Sequence, residues 1–501
     1  MIYFKQGCVM IQENIQQLLE YGLEQGMINE EEWDYSCNLL LDLYKLDHFE
    51  KQEVKKEDFY TVLDTLVQYA VDQKWIEDTA TERDLWDTRV MNCIMPRPSE
   101  VIRTFKEKYT ASPEEATKYF YALSIHSNYI RKNRTDKNIC FNYDYKYGTM
   151  QITINLSKPE KDPKEIAKAK LIKSTGYPKC LLCKENVGFA GTANHPARQT
   201  HRIIPLDLAG DHYFLQYSPY VYYNEHCIVF NENHVPMVIS KETFKHLLSF
   251  VDQFPHYLLG SNADLPIVGG SILTHDHYQG GRHTFPMENA KVLKQYTVKG
   301  YEDVEVEMLY WPLSTLRIKC ADKERVIALA DHILQTWIPY SDEKADILAY
   351  TEDTRHNTIT PIARKKNGKY EMDLVLRNNR TTEQYPLGIF HPHPEHHHIK
   401  KENIGLVEVM GLAVLPARLK TELEELELCL LGKKNITDYP ELEKHKEWFA
   451  YLQTLSFDET NVHTVLEQEV AKKYVQVLEN AGVYKMDEEG IQAFERFISV
   501  L

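Results

Sequence analysis

The residues best suited to chemistry lie in Gly269–His283, GGSILTHDHYQGGRH. A β-strand puts side chains i, i+2 and i+4 on one face. If strand geometry runs through the motif, His275, His277 and Gln279 project together, with Asp276 and Tyr278 on the other side. A neutral imidazole can attack phosphorus and carry a covalent intermediate. It needs its second ring nitrogen held by an acceptor, and donors around the phosphoryl oxygens. Gln279 could supply one such donor. Gly280 and Gly281 could add backbone N–H groups, and Arg282 a charge-assisted contact.

Cys180-Leu-Leu-Cys183 has the spacing of half a zinc site, which needs two more ligands. His201, His226, His234 and His275 are the candidates. An unmetallated thiol pair or a redox pair is the competing reading, although the flanks lack the strand-to-helix context of a redox motif. A third cluster, HPHPEHHH (His391–His398), reads as a solvated loop, a second metal site or part of a substrate pocket.

These motifs must be held by a chain of 501 residues, long enough for two or three folded units. Residues 1–145 read as mainly helical, with apolar residues three and four apart. Ser112 reads as an N-cap before Pro113, and the amphipathic pattern starts near Met10, leaving the first nine residues as a loose extension. Two mixed segments follow, 146–300 and 301–435, and a helical tail closes the chain over 436–501. Each mixed segment reads strand, strand, helix, then a final strand leading to His-x-His. In the first, YVYYNEHCIVF reads as two strands and LPIVGGSIL as another. The second carries the hairpin Asn357–Asn378 as an insertion, with Asn367-Gly368 as its turn. From Ile404 the pattern is helical to the end.

The net charge of −16 argues against a general nucleic-acid binder. It leaves room for a phosphorylated substrate held by local cations such as Arg198. No apolar run is long enough to span a membrane, and the N-terminus lacks a secretory pattern. Nine cysteines with mostly irregular spacing suit a reduced, cytoplasmic chain.

Asp264–Gly281, DLPIVGGSILTHDHYQGG, resembles the signature of the type 2 galactose-1-phosphate uridylyltransferases, and motif order agrees across essentially the whole chain. The resemblance implies an α+β fold of duplicated histidine-triad-like half-units with antiparallel sheets, flanked by the helical N-terminal region and C-terminal tail. It implies a ping-pong reaction: UDP-glucose gives its uridylyl group to His277, and galactose 1-phosphate then takes it. Gln279 is the assisting amide, and Asp276 stands where type 1 enzymes have proline. A structural zinc would sit on Cys180, Cys183, His234 and His275. Asn224 and Glu225 would touch ribose, and Asn262 phosphate. A literal His-Pro-His search would choose His391 and His393, but Glu395 occupies the amide position, and a carboxylate repels phosphate. Those two histidines remain candidates for a second metal. A homodimer is implied too. The competing functions are a histidine-triad hydrolase or phosphorylase, which carries a third histidine at the Gln279 position, and a zinc-stabilised binding protein without turnover.

Overall fold

The computed structural model describes residues 2–157, 176–270 and 272–501. Helices fill the first part of the chain, and local chemistry starts them. The Asp58 carboxylate accepts from Tyr60 and Thr61 N–H, and Ser112 Oγ from Glu115 N–H. In the helix Phe59–Asp72, Val62, Leu63, Leu66, Val67 and Ala70 form one buried stripe. The first helix spans Ile2–Glu24, so the segment expected to be loose continues that helix.

The centre is a ten-stranded antiparallel sheet. Its first half comprises β3 (Ile204–Leu208), β4 (Asp211–Tyr217), β5 (Cys227–Asn231), β6 (Leu258–Gly260) and β7 (His277–Gly281). Its second comprises β8 (Val292–Tyr296), β9 (Glu305–Leu309), β10 (Thr315–Cys320), β13 (Asn357–Lys366) and β14 (Lys369–Asn378). The order is β3-β4-β5-β7-β6-β13-β14-β10-β9-β8. Read outward from the middle, both halves have the same sequence of strands: a three-stranded meander, a helix, then two strands inserted with the later one next to the meander. The helices are Lys241–Gln253 and Lys323–Trp337. This repeated order bears out the expected α+β class with antiparallel sheets. β1 (Ile139–Tyr145), β2 (Gly148–Asn155) and β15 (Leu412–Pro416) form a separate small sheet, and β11 (Tyr350–Thr351) pairs with β12 (Thr354–Arg355).

The register ties the halves together. Gln279 pairs with Gly260, Gly260 with Ile362, and Ile362 with Asp373. The same rung continues outward through Ile228 and Gln216 on one side, and through Arg317 and Glu307 on the other. A pseudo-two-fold at the Gly260–Ile362 pair therefore matches Gln279 with Asp373, and His277 with Glu371. One face of the sheet packs on the two helices through Val229, Tyr278, Leu316 and Leu374. The other carries His277 and Gln279, and further along Leu258, Ile362 and Val375, which join a second core with the C-terminal helices.

Four local expectations change. Residues 265–270, 272 and 273 form no strand, and Ser271 lies outside the described residues; β7 starts only at His277. Tyr220–His226 is a loop rather than a strand. The hairpin β13–β14 is no insertion: it is the counterpart of β6 and β7, joined by a tight turn with positive φ at Asn367 (52°) and Gly368 (76°). Leu412–Pro416, expected to be helical, pairs parallel with β2, where Leu412, Ala413 and Leu415 are buried.

Candidate active site

β7 is an interior strand, hydrogen-bonded to β5 and β6 on its two sides. This fixes the height and face of His277 at its first position. The ring is almost fully buried, and its Nδ1–H donates to the His275 carbonyl at 2.8 Å. That bond selects the tautomer in which Nε2 carries the lone pair. Nε2 has no partner among the described residues. Burial pushes the His277 pKa down to about 4, so the imidazole is neutral.

Although the strand does not reach His275, the backbone before it is held in register. Asp276 N–H donates to the Val235 carbonyl at 2.7 Å, and the Asp276 carbonyl accepts from Asn231 N–H at 2.9 Å. A proline at 276 could not make the first of these bonds. The Asp276 carboxylate turns to the opposite face, where Tyr213 donates to it at 2.6 Å. Burial raises its pKa.

Gln279 follows on the His277 face. Its Oε1 lies 3.1 Å from Nε2 of His226, a residue considered from the sequence only as a metal ligand. The His226 ring is buried between Tyr222 and Tyr223. Burial holds it neutral, with its pKa pushed down to about 4. A His226 Nε2–H donating to Oε1 turns the Gln279 amide N–H groups away from His226. No motif spacing announces this pair, because the β5–β7 register creates it.

The thiols of Cys180 and Cys183 converge with His234 and His275. Their ligand atoms all lie within 4.8 Å of one another. Cys180 Sγ is 3.5 Å from Cys183 Sγ and 3.2 Å from His275 Nδ1, and Cys183 Sγ is 3.2 Å from His234 Nδ1. A tetrahedral ion with nitrogen and sulfur ligands separates its donors by about 3.3–3.8 Å. The group could therefore hold a metal ion. His275 Nε2 donates to the Asn231 carbonyl at 2.8 Å, which leaves Nδ1 as the ligating atom. Asn186 Nδ2 donates to the Cys180 and Cys183 carbonyls and stiffens the knuckle. Burial pushes the Cys180 thiol up to about 11, so without a cation it stays protonated. His201 and His226, the other two candidates, are not in the cluster.

Several expected contacts lie elsewhere. Gly280 belongs to the ladders on both sides of β7, and Gly281 to the ladder with β6. They are glycines for lack of space: a Cβ at Gly280 would lie 2.2 Å from the Leu258 carbonyl oxygen, and one at Gly281 2.4 Å from that of Glu225. Arg282 is exposed at the far end of β7 from His277. Asn224 and Glu225 form the turn over Gly281. Asn224 Nδ2 donates to the Arg282 carbonyl at 3.2 Å, and Tyr257 donates to the Glu225 carboxylate. Asn262 is two residues beyond Gly260, so the register sets it alongside His277, but its Oδ1 accepts from Leu406 N–H at 2.9 Å.

Arg198 is buried, with its guanidinium over the Tyr129 ring. It lines a cavity of about 320 Å³ with Tyr129, Thr200, Tyr220 and Leu181, the last from the cysteine knuckle. Beside it the Tyr129 ring meets that of His201, and Gln216, on the Gln279 rung, keeps a buried Oε1 without a partner. His391 and His393 do not converge as ligands. His391 faces Asn403 and the Pro392 carbonyl, and His393 stacks on Tyr385 and bonds the Ile389 carbonyl. Among the described residues they join no group of potential ligands. They follow β14 rather than entering it, so they do not occupy the counterpart of the His277 position.

Two family models match the chain: the N-terminal domain of galactose-1-phosphate uridyl transferase over residues 27–236, and its C-terminal domain over 250–450. The chain is 57% identical to the galactose-1-phosphate uridylyltransferase of Clostridium acetobutylicum, covering 98% of this chain and 100% of the relative. It is 54% identical to that of Caldanaerobacter subterraneus, covering 97% of each, and 50% identical to that of Bacillus subtilis, covering 98% and 97%.

Proposed function

Because this chain belongs to the galactose-1-phosphate uridylyltransferase family, and so is a nucleotidyltransferase acting in galactose metabolism, we propose that it works through a covalent uridylyl group on His277. In the first half-reaction the His277 Nε2 lone pair attacks the α-phosphorus of UDP-glucose. The bond to the bridging oxygen breaks, and glucose 1-phosphate leaves with that electron pair. In the second, a phosphate oxygen of galactose 1-phosphate attacks the same phosphorus, the N–P bond breaks, and UDP-galactose forms.

The observation that carries this reading is the unpartnered Nε2 of a neutral, buried histidine whose other nitrogen is tied to a backbone carbonyl. Gln279 donates its amide N–H to a phosphoryl oxygen, and His226 keeps that amide turned the right way. The cavity beside Arg198 takes the nucleotide, with the guanidinium on phosphate. Asn262 lies close enough in register to reach the phosphoryl group through its Nδ2. Zinc is the ion we assign to Cys180, Cys183, His234 and His275; these residues would hold it, and His275, whose carbonyl accepts from His277, would be fixed as one of its ligands. Residues 146–300 carry the chemistry and 301–435 the degenerate half, in a cytoplasmic homodimer.

Uridine-labelled UDP-glucose without acceptor tests the reading. Acid-labile label should stay on the protein, with release of one equivalent of glucose 1-phosphate, and His277→Ala should trap none. Continuous UMP release would identify a hydrolase, and label trapped by His277→Ala would overturn the nucleophile. His226→Gln keeps a donor near the Nε2 position and should retain more of kcat than His226→Phe, at equal melting temperature. Equal loss in both would remove His226 from the mechanism. Cys183→Ser should lower bound zinc, and unchanged content would sink the site.

A further inference from the structure

The pseudo-two-fold that relates the half-sheets also relates their ends. His277 stands where β7 begins and β6 has just ended. The matching place in the second half is where β13 ends and β14 begins, around Arg364, Lys366 and Glu371. A cleft of about 460 Å³ opens there, on the sheet face that carries Gln279. The second half lines it with Arg364, Lys365 and Lys366. The first half adds His256, Arg282 and Glu288, the last being the one carboxylate among its lining residues.

Two of these cations have unused capacity. Arg282 is exposed, and its guanidinium has no acidic partner among the described residues. Arg364 is more than nine-tenths buried, and its Nε has no hydrogen-bond partner; the nearest carboxylate oxygen, of Glu288, is 3.8 Å away. His256 Nδ1 is likewise buried without a partner. The other cationic groups are engaged: Lys365 with Asp252 at 3.2 Å, Lys366 with Glu288 at 2.7 Å, and the remaining Arg364 nitrogens with Glu371 and Asp373.

We propose that this cleft is a second binding site, for a small phosphate-bearing molecule of hexose phosphate size. The phosphate would bridge Arg282 and Lys366, drawing Lys366 from Glu288, and face the free Nε–H of Arg364. The volume falls within the range of small-molecule pockets. The site binds and does not transfer. At the counterpart of His277 stands Glu371, and its carboxylate is paired with Arg364 at 3.0 Å. This inference rests on the sheet topology and is independent of the nucleophile assignment.

Calorimetry on full-length His277→Ala protein, held in saturating UDP-glucose to fill the transfer site, tests it with glucose 1-phosphate and inorganic phosphate as probes. One glucose 1-phosphate per chain should bind. Arg282→Glu and Lys366→Glu should each weaken it by at least about tenfold, since each removes one charge-assisted contact and adds repulsion. Binding of inorganic phosphate with the same sensitivity would support the phosphate contact. No binding up to about 10 mM, a free energy below roughly 3 kcal/mol, would overturn the proposal. So would binding that both variants leave unchanged. Transfer activity of Lys366→Glu in the otherwise native protein should stay near that of the parent, which separates this cleft from the transfer site.

Discussion

One rung of the sheet is written twice, with opposite chemistry. In the first half it reads Ile228, Gln279, Gly260, and in the second Arg317, Asp373, Ile362. Two residues earlier on each inner strand stand His277 and Glu371. Asp373 is fully buried and receives Arg317 at 2.6 and 3.0 Å and Arg364 Nη1 at 2.8 Å, while Glu371 accepts from the same Nη1 at 3.0 Å. Every carboxylate there is spent on a neighbour. The first half keeps its rung uncharged and leaves Nε2 of His277 unspent. The same topology therefore supports a closed ion network in one copy and an open nucleophile in the other. What separates them is whether the polar atoms satisfy one another.

The largest expected effect breaks the first copy. His277→Ala should lower transfer by at least about 10⁴-fold, because removing a covalent nucleophile leaves only binding and electrostatics. The melting temperature should hardly move, since the ring makes a single hydrogen bond. The equivalent region of the second copy should respond in the opposite sense. Asp373→Ala leaves Arg317 and Arg364 buried without their shared carboxylate, which costs about 3–5 kcal/mol of stability. Denaturant unfolding would show this, with kcat per folded molecule nearly unchanged. A His277→Ala protein that unfolds early, or an Asp373→Ala protein that is stable and inactive, would reverse the assignment of the halves.

The rung itself offers the matched pair. Gln279→Ala should reduce kcat by about 10²–10³, the usual loss on removing one donor to a developing charge. KM for UDP-glucose should change less, because the contact strengthens as charge builds. Replacing the second-half network as a whole, with Arg317→Met, Arg364→Met and Asp373→Leu together, should be milder than Asp373→Ala alone, since apolar residues of similar volume leave no orphaned charge. If the triple variant is worse than the single one, the network contributes more than mutual satisfaction.

How far these differences were legible in the sequence depends on their range. Helix caps such as Ser112 and the turn Asn367-Gly368 are local, and the structure has them where the residue types place them. The Cys180, Cys183, His234 and His275 group emerged because C-x-x-C spacing and the resemblance both pointed to it. Alternation misled where the backbone leaves the sheet. Val268, Ile272 and Leu273 are apolar but lie outside it, since the β6–β7 connection loops out to bring His275 to the cysteines. The pairing of His226 with Gln279 is not legible in the sequence, because the two lie 53 residues apart and register alone joins them. Glu371 and Asp373 have the i, i+2 spacing of His277 and Gln279, but the conspicuous His391-Pro-His393 drew the comparison to a segment beyond the last strand.

The smallest test concerns why the second copy has no counterpart of the long connection that precedes His277. Its two inner strands are joined by the turn Asn367-Gly368, whereas the first copy spends Ser261–Asp276 on the same connection. Gly368 has φ of +76° and nothing within 4 Å of the position a Cβ would take. Gly368→Ala therefore meets backbone strain but no collision, and should cost about 1 kcal/mol, read as a small shift in the denaturation midpoint. Transfer activity should be untouched, because the turn is at the far end of the sheet from His277. A large loss of activity from Gly368→Ala would mean that the tight hairpin shapes the transfer site through the shared β6–β13 ladder. The two copies would then be one functional unit rather than a working half and a supporting half.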